Sequence, residues 1–173
     1  IKCLNNFSNL KQILRDYESA KKLLLIASEI ESKNIDILFN LAECYQSLGQ
    51  LDQAKDYAYK ILKIQPNHTA AHRFICRIIN HRSDKSHLPK IIEIEKSDNF
   101  KNFSSNEKID IYFSLGKAYE DNKDYEKSYN YLEKGNLIKN KEINYNLNTH
   151  EKLINSIIKL FDDFDFEKIK KKA

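Results

Sequence analysis

The chain has 173 residues, enough for one domain or one short repeat array, and 41% are hydrophobic and 31% charged. Only three Gly and two Pro argue against a loop-rich β fold, and 29 basic against 25 acidic residues, interspersed to a net +4, describe a mixed solvated surface rather than a nucleic-acid footprint. No apolar run approaches a membrane span, no signal peptide is visible, and the three cysteines lack paired spacing. A soluble, folded, cytoplasmic protein with reduced thiols is therefore expected. The chain begins with Ile1 and contains no Met, which suggests a piece of a longer protein.

The first segment, KCLNNFSNLKQIL, is a weak helix with Leu4 and Phe7 at core positions. YESAKKLLLIASEI follows as a good amphipathic helix, with Tyr17, Ala20, Leu24, Ala27 and Ile30 on its apolar face. Residues 35–68 carry the clearest pattern. Leu38, Leu41, Ala42 and Tyr45 share one face of a helix. Gly49 supplies a left-handed stop. Leu51, Ala54, Tyr57, Ala58, Ile61, Leu62 and Ile64 form a second helix that Pro66 ends.

Residues 69–108 are the most degenerate stretch. TAAHRFICRIIN is a helix with His72, Ile75, Cys76 and Ile79 in the core frame. HRSDKSH is a polar loop, LPKIIEIEK a short helix with Pro89 in its first turn, and 97–105 a connector. Residues 109–142 restore the pattern. Tyr112, Leu115, Gly116, Ala118 and Tyr119 mark one helix and Tyr125, Ser128, Leu132 and Gly135 the next, with Asn122 and Lys123 at the turn. Beyond residue 143, Leu153, Ile154, Ile157, Ile158, Phe161 and Phe164 form an apolar stripe, and Asn148 with Glu151 fits a capping box. The closing KIKKK reads as a solvated end.

The 35–68 unit resembles the tetratricopeptide repeat (TPR), a helical hairpin of about 34 residues. Leu38, Leu41, Ala42, Tyr45, Ala54, Ala58 and Pro66 occupy the positions that carry that motif. Small residues at Ala42 and Ala54 let the helices cross closely. One hairpin leaves a face unburied, so neighbours must stack on it. The resemblance implies an all-α, right-handed superhelical array of antiparallel helix pairs. Its repeats cover 1–34, 35–68, 69–108 and 109–142, and a C-terminal capping helix occupies 143–173. It further implies a concave groove lined by fixed positions of each first helix. Here these are Asp36, Phe39, Glu43 and Gln46, then Arg73, Arg77 and Asn80, then Asp110, Phe113, Lys117 and Glu120. Asn9 and Asn40 fit part of a carboxylate-clamp pattern found in some relatives. Asn5, Ala70 and Phe74 replace its basic residues, so that clamp is not expected.

The stretch LGKAYEDNKDYEKSYNYLEKGNLIKNKEINYN is more specific. It resembles the last repeat of the TPR regions that precede bacterial sulfotransferase domains, through Leu115–Asp121, Asp124 with Tyr125, Gly135 with Asn136, and Tyr145 with Asn146. The phosphate-binding Gly-rich loop of those enzymes is absent from this sequence.

Other constellations have plainer readings. His68, His72 and Cys76 are spaced for zinc, yet fall at a helix start and on the core face. Cys44 beside Glu43 reads as a packed thiol rather than a nucleophile. Asp162, Asp163 and Asp165 lack the loop of a calcium site. Tyr and Lys could grip single-stranded RNA, but Tyr45, Tyr57, Tyr119 and Tyr125 sit in the core frame. No catalytic, cofactor or metal residues are expected. The expected function is a protein or peptide interaction module, with the regulatory region of a sulfotransferase as the alternative. Phe39 and Phe113 are the expected apolar anchors, and Arg73, Arg77 and Lys117 the charged ones.

Overall fold

A computed structural model describes residues 1–143 and 147–162 of the chain, and every regular element among them is helical. The helices are α1 (Lys2–Ile13), α2 (Tyr17–Ile30), α3 (Ile35–Ser47), α4 (Leu51–Ile64), α5 (Thr69–Ile78), α6 (Leu88–Lys96), α7 (Ser105–Asp121), α8 (Tyr125–Ile143) and α9 (Leu147–Asp162), with a 3-10 turn at Asp98–Asn102. The chain divides into two compact units, Ile1–Lys139 and Asn140–Ala173.

Three hairpin turns in the first unit use one device. Arg15, Gly49 and Lys123 adopt φ of 59°, 73° and 63°. In each, the following N–H reaches back past the turn: Asp16 to the Lys11 carbonyl, Gln50 to Tyr45, and Asp124 to Tyr119, all at 2.9 Å. This is the hydrogen bond that closes a helix around a left-handed residue. Arg15 and Gly49 lie one repeat apart, and Lys123 falls where the frame returns after the long third unit. Asp16 and Asp124 then cap α2 and α8 by accepting from the amides of Ser19 and Lys127.

The first unit has no single centre. Ala20, Leu24, Ala27, Ile37, Leu41 and Cys44 pack together between α2 and α3. Ala42, Ala54, Ala58, Phe74, Ile75 and Ile79 continue the core from α3 to α5. Cys76, Ile91, Ile94, Phe100, Ile111 and Leu115 carry it into α7. Each helix buries its stripe on its neighbours, as stacked hairpins must. Stacked Tyr45–Tyr57 and Tyr119–Tyr131 rings, 5.3 and 5.6 Å apart, join the two helices of the second and fourth hairpins.

The third unit departs from this plan. α5 packs chiefly on α7 and α4, and α6 packs mainly on α7. α7 begins at Ser105, earlier than the repeat frame suggests. The reason is a capping box: the Ser104 hydroxyl accepts from the Glu107 amide, while the Glu107 carboxylate accepts from the Ser104 amide. Asn148 and Glu151 both lie within α9, which is already helical at Leu147.

Several residues that the frame assigns to the core are exposed: Phe7, Ile30, Leu51, Ile64, Tyr125 and Leu132. Each lies on α1 or α8, at the ends of the first unit, or in the terminal turn of its helix. On α1 it is Ser8 that is buried, its hydroxyl donating to the Asn5 carbonyl at 2.7 Å. In the second unit, Leu153, Ile154, Ile157, Ile158 and Phe161 are exposed. Phe164, Asp163, Asp165 and the KIKKK end lie outside the described residues.

Candidate protein-binding groove

The first helices α1, α3, α5 and α7 are joined side to side by polar and aromatic contacts. Asn40 on α3 donates to Asn5 Oδ1 at 2.8 Å and to Asn9 Oδ1 at 3.2 Å, both on α1. These amides, with Asp36, Phe39 and His68, line a cavity of about 350 Å³. Phe39 lies edge-on to Phe74 of α5 at 5.8 Å and near the His68 ring at 6.2 Å. Arg73 of α5 pairs with Asp110 of α7 at 2.9 Å, and its guanidinium lies 5.1 Å from the Phe113 ring. Thr69 donates to the same Asp110 carboxylate at 3.2 Å.

The expected groove residues therefore differ in what they offer. Arg73 is held by Asp110 and Phe113. Such a half-exposed ion pair contributes about 0.2–1 kcal/mol, but it fixes the guanidinium in place. Phe113 is half-buried and packs on α8, where a Cβ on Gly135 would meet its ring at 2.7 Å. Phe39 is likewise half-buried. Neither ring stands out as a projecting anchor, because each already forms part of a helix contact. Glu43 is half-buried, and burial pushes its carboxyl pKa up against the pull of Arg77. Arg77 is exposed above the Phe74 ring at 5.6 Å. Asp36 and Glu120 are exposed and Gln46 half-buried. Lys117 pairs with Asp121 along α7 and reaches Glu120 at 3.9 Å. Burial raises the Asp121 pKa, but the bonds from Lys117 and the His81 amide outweigh it and hold the carboxyl below its usual range.

Asn80 is a correction. α5 ends at Ile78, so Asn80 starts the following loop, and its side chain accepts from the Arg82 amide at 2.9 Å. Its carboxamide organises a turn instead of extending the helix face. The zinc spacing also resolves into separate roles. His68 Nδ1 accepts from the Ala71 amide as the N-cap of α5, while His72 and Cys76 are buried. Burial pushes the Cys76 thiol up to about 12 and the Cys44 thiol up to about 11. Both behave as packed apolar groups.

Sequence reasoning missed two features outside the groove. A larger cavity, about 740 Å³, opens between α4 and α6 and is lined by Tyr59, Leu62, Pro66, His72, Lys90 and Ile94 among others. His72, His81 and His87 are all buried around the irregular loop. Five histidines in the chain, two of them in the polar loop HRSDKSH, are the only signal the sequence offers.

Comparison with known proteins now adds to this geometry. Residues 14–78 and 109–142 match family models described as tetratricopeptide repeat. The chain is built of tetratricopeptide repeats. Neither match extends to a sulfotransferase-associated arrangement. A curated relative, an uncharacterized protein of Aquifex aeolicus (strain VF5), is 26% identical over 151 residues, which is 87% of this chain. The chain spans only 19% of the length of that relative. A solved structure named "MamA RS-1 ArsTM double mutant" shares the fold with a TM-score of 0.61 at 21% identity, covering 79% of this chain and 74% of that one. A second, "Crystal structure of MamA", gives a TM-score of 0.46 at 14% identity over 80% of this chain and 97% of that one. No helix among the described residues of this TPR chain is long and apolar enough to cross a membrane.

Proposed function

We propose that this TPR array is a protein-interaction module that receives a peptide or protein along the face formed by α1, α3, α5 and α7. The observation that carries this reading is the lateral stitching of those helices. Asn5–Asn9–Asn40, Phe39–Phe74 and Arg73–Asp110–Phe113 make one connected surface before any partner arrives. A surface set in advance loses little conformational freedom on binding. Within it, Arg73, Phe113 and Phe39 serve as walls. Asp36, Glu43, Gln46, Arg77, Lys117 and Glu120 are the groups that face a ligand.

Affinity purification with Arg77→Glu tests the groove against Asp56→Lys, a change at an exposed position on α4. Charge reversal at Arg77 removes specific partners, and reversal at Asp56 leaves them in place. Identical partner sets for both variants and the unaltered chain overturn the proposal. A second reading rests on the 115–146 stretch alone: a regulatory or substrate-presenting region of a TPR-sulfotransferase. The parent gene sequence beyond Ala173 tests it, and an unrelated domain there ends it.

A further inference from the structure

Three histidines meet around the loop that interrupts the repeat, and they are sealed from solvent. His81 and His87 are 0% exposed and His72 is 2% exposed. The proton inventory of the trio follows from geometry. His72 Nε2 lies 2.8 Å from the Pro66 carbonyl, which can only accept, so that nitrogen carries the hydrogen. In the neutral ring, Nδ1 then offers a lone pair, and His87 Nε2–H donates to it across 3.1 Å. This leaves His87 Nδ1 bare, buried and without a partner. Both nitrogens of His81 are also buried without a partner. His72 and His87 are thus arranged for their neutral forms, and each further proton on the trio adds a charge and an unmatched N–H at a buried position.

We propose that His72, His81 and His87 form an acid-sensitive latch holding the 79–97 segment, and α6 with it, against α5 and α7. The latch joins several elements. His87 is the residue before α6, and the Tyr59 ring of α4 meets it edge-on at 5.9 Å. The His81 amide donates to Asp121 of α7 at 3.0 Å. The charged groups around the trio act in both directions. Lys90 and His68 bear on His72; Asp121, Lys117 and Asp84 on His81; Lys90, Asp84 and the other two rings on His87. Asp84 and Asp121 favour protonation, but burial is the largest influence on each ring and keeps all three below the ordinary histidine range, His87 down to about 3. Protons therefore bind the opened segment in preference to the closed one, and falling pH pulls it open. The inference concerns the outer helix layer and stands apart from the groove reading.

Hydrogen exchange on the full chain at pH 7.5 and 5.5, corrected for the intrinsic pH dependence of exchange, tests the latch. Protection across 79–97 falls about tenfold or more relative to α3 and α4. Equal protection at both pH values overturns the proposal. His81→Leu removes two unmatched nitrogens; it keeps the segment closed at pH 7.5 and reduces its opening at pH 5.5. A variant with the acid response of the unaltered chain counts against the latch. Should that variant fold poorly, NMR titration of the unaltered chain decides: three imidazoles titrate below the ordinary histidine range. Five imidazoles all titrating in the ordinary histidine range overturn it.

Discussion

The α3–α4 hairpin and the α5–α6 unit occupy neighbouring repeats and are held by different chemistry. In the first, Ala42, Ala54 and Ala58 are fully buried, Gly49 turns the chain, and Tyr45 stacks on Tyr57. Shape alone closes that hairpin. In the second, a polar loop replaces the tight turn, α6 leans on α7, and buried imidazoles stand beside the apolar packing of Ile91 and Ile94. The lesson is that an array of nearest-neighbour contacts tolerates a rebuilt unit, because only the two adjoining interfaces must be kept.

The largest expected difference between the two regions lies in their cores. Leu41→Ala in α3 empties a fully buried site and costs about 2–5 kcal/mol in urea unfolding. His81→Leu at pH 7.5 costs far less, or stabilises, since it removes polar atoms that have no partner. Equal losses in the two variants would erase the distinction drawn between shape and polar closure.

Acid should act next in size. The three latch histidines have folded-state pKa values below the unfolded value of about 6.5. Their contribution is complete above that value and is lost as the pH falls below it. Between pH 7.5 and 5.5 each ring that remains neutral in the folded state withdraws about 1.4 kcal/mol. The urea midpoint measured over this range reports the sum, and a midpoint independent of pH contradicts it.

The turns give the smallest effects, with opposite signs. Gly49 and Lys123 share one left-handed conformation. Gly49→Ala costs about 1 kcal/mol, because a Cβ is strained there even though nothing crowds it. Lys123→Gly gains about 0.5 kcal/mol by relieving the same strain. Paired thermal melts check both, and matching shifts of one sign would show that the turns are not equivalent.

Much of the fold is legible in the sequence because periodicity and stop signals agree. The apolar run from Tyr17 to Ile30 marks α2 to the residue, and Gly49 and Pro66 bracket α4. Exposure at Phe7, Ile64 and Tyr125 is not legible, since a repeat frame assigns a face without saying whether a neighbour covers it. The groove positions follow from the repeat register, yet their state does not. That Arg73 is tied to Asp110, and Phe113 seated on Gly135, depends on side chains 37 and 22 residues apart in sequence, which no local pattern records. Asn80 failed for a local reason, the early end of α5 at Ile78. The histidine trio was hidden because a polar loop ordinarily faces water, and here two of its histidines turn inward.

Photo-crosslinking tests the interaction reading most directly. A photoreactive residue placed at Glu43 in the groove, compared with one at Asp56 on α4, should yield discrete adducts with the same partner that Arg77→Glu abolishes. Adducts that form equally at Asp56, or that survive the Arg77 change, would contradict a binding surface on the first helices.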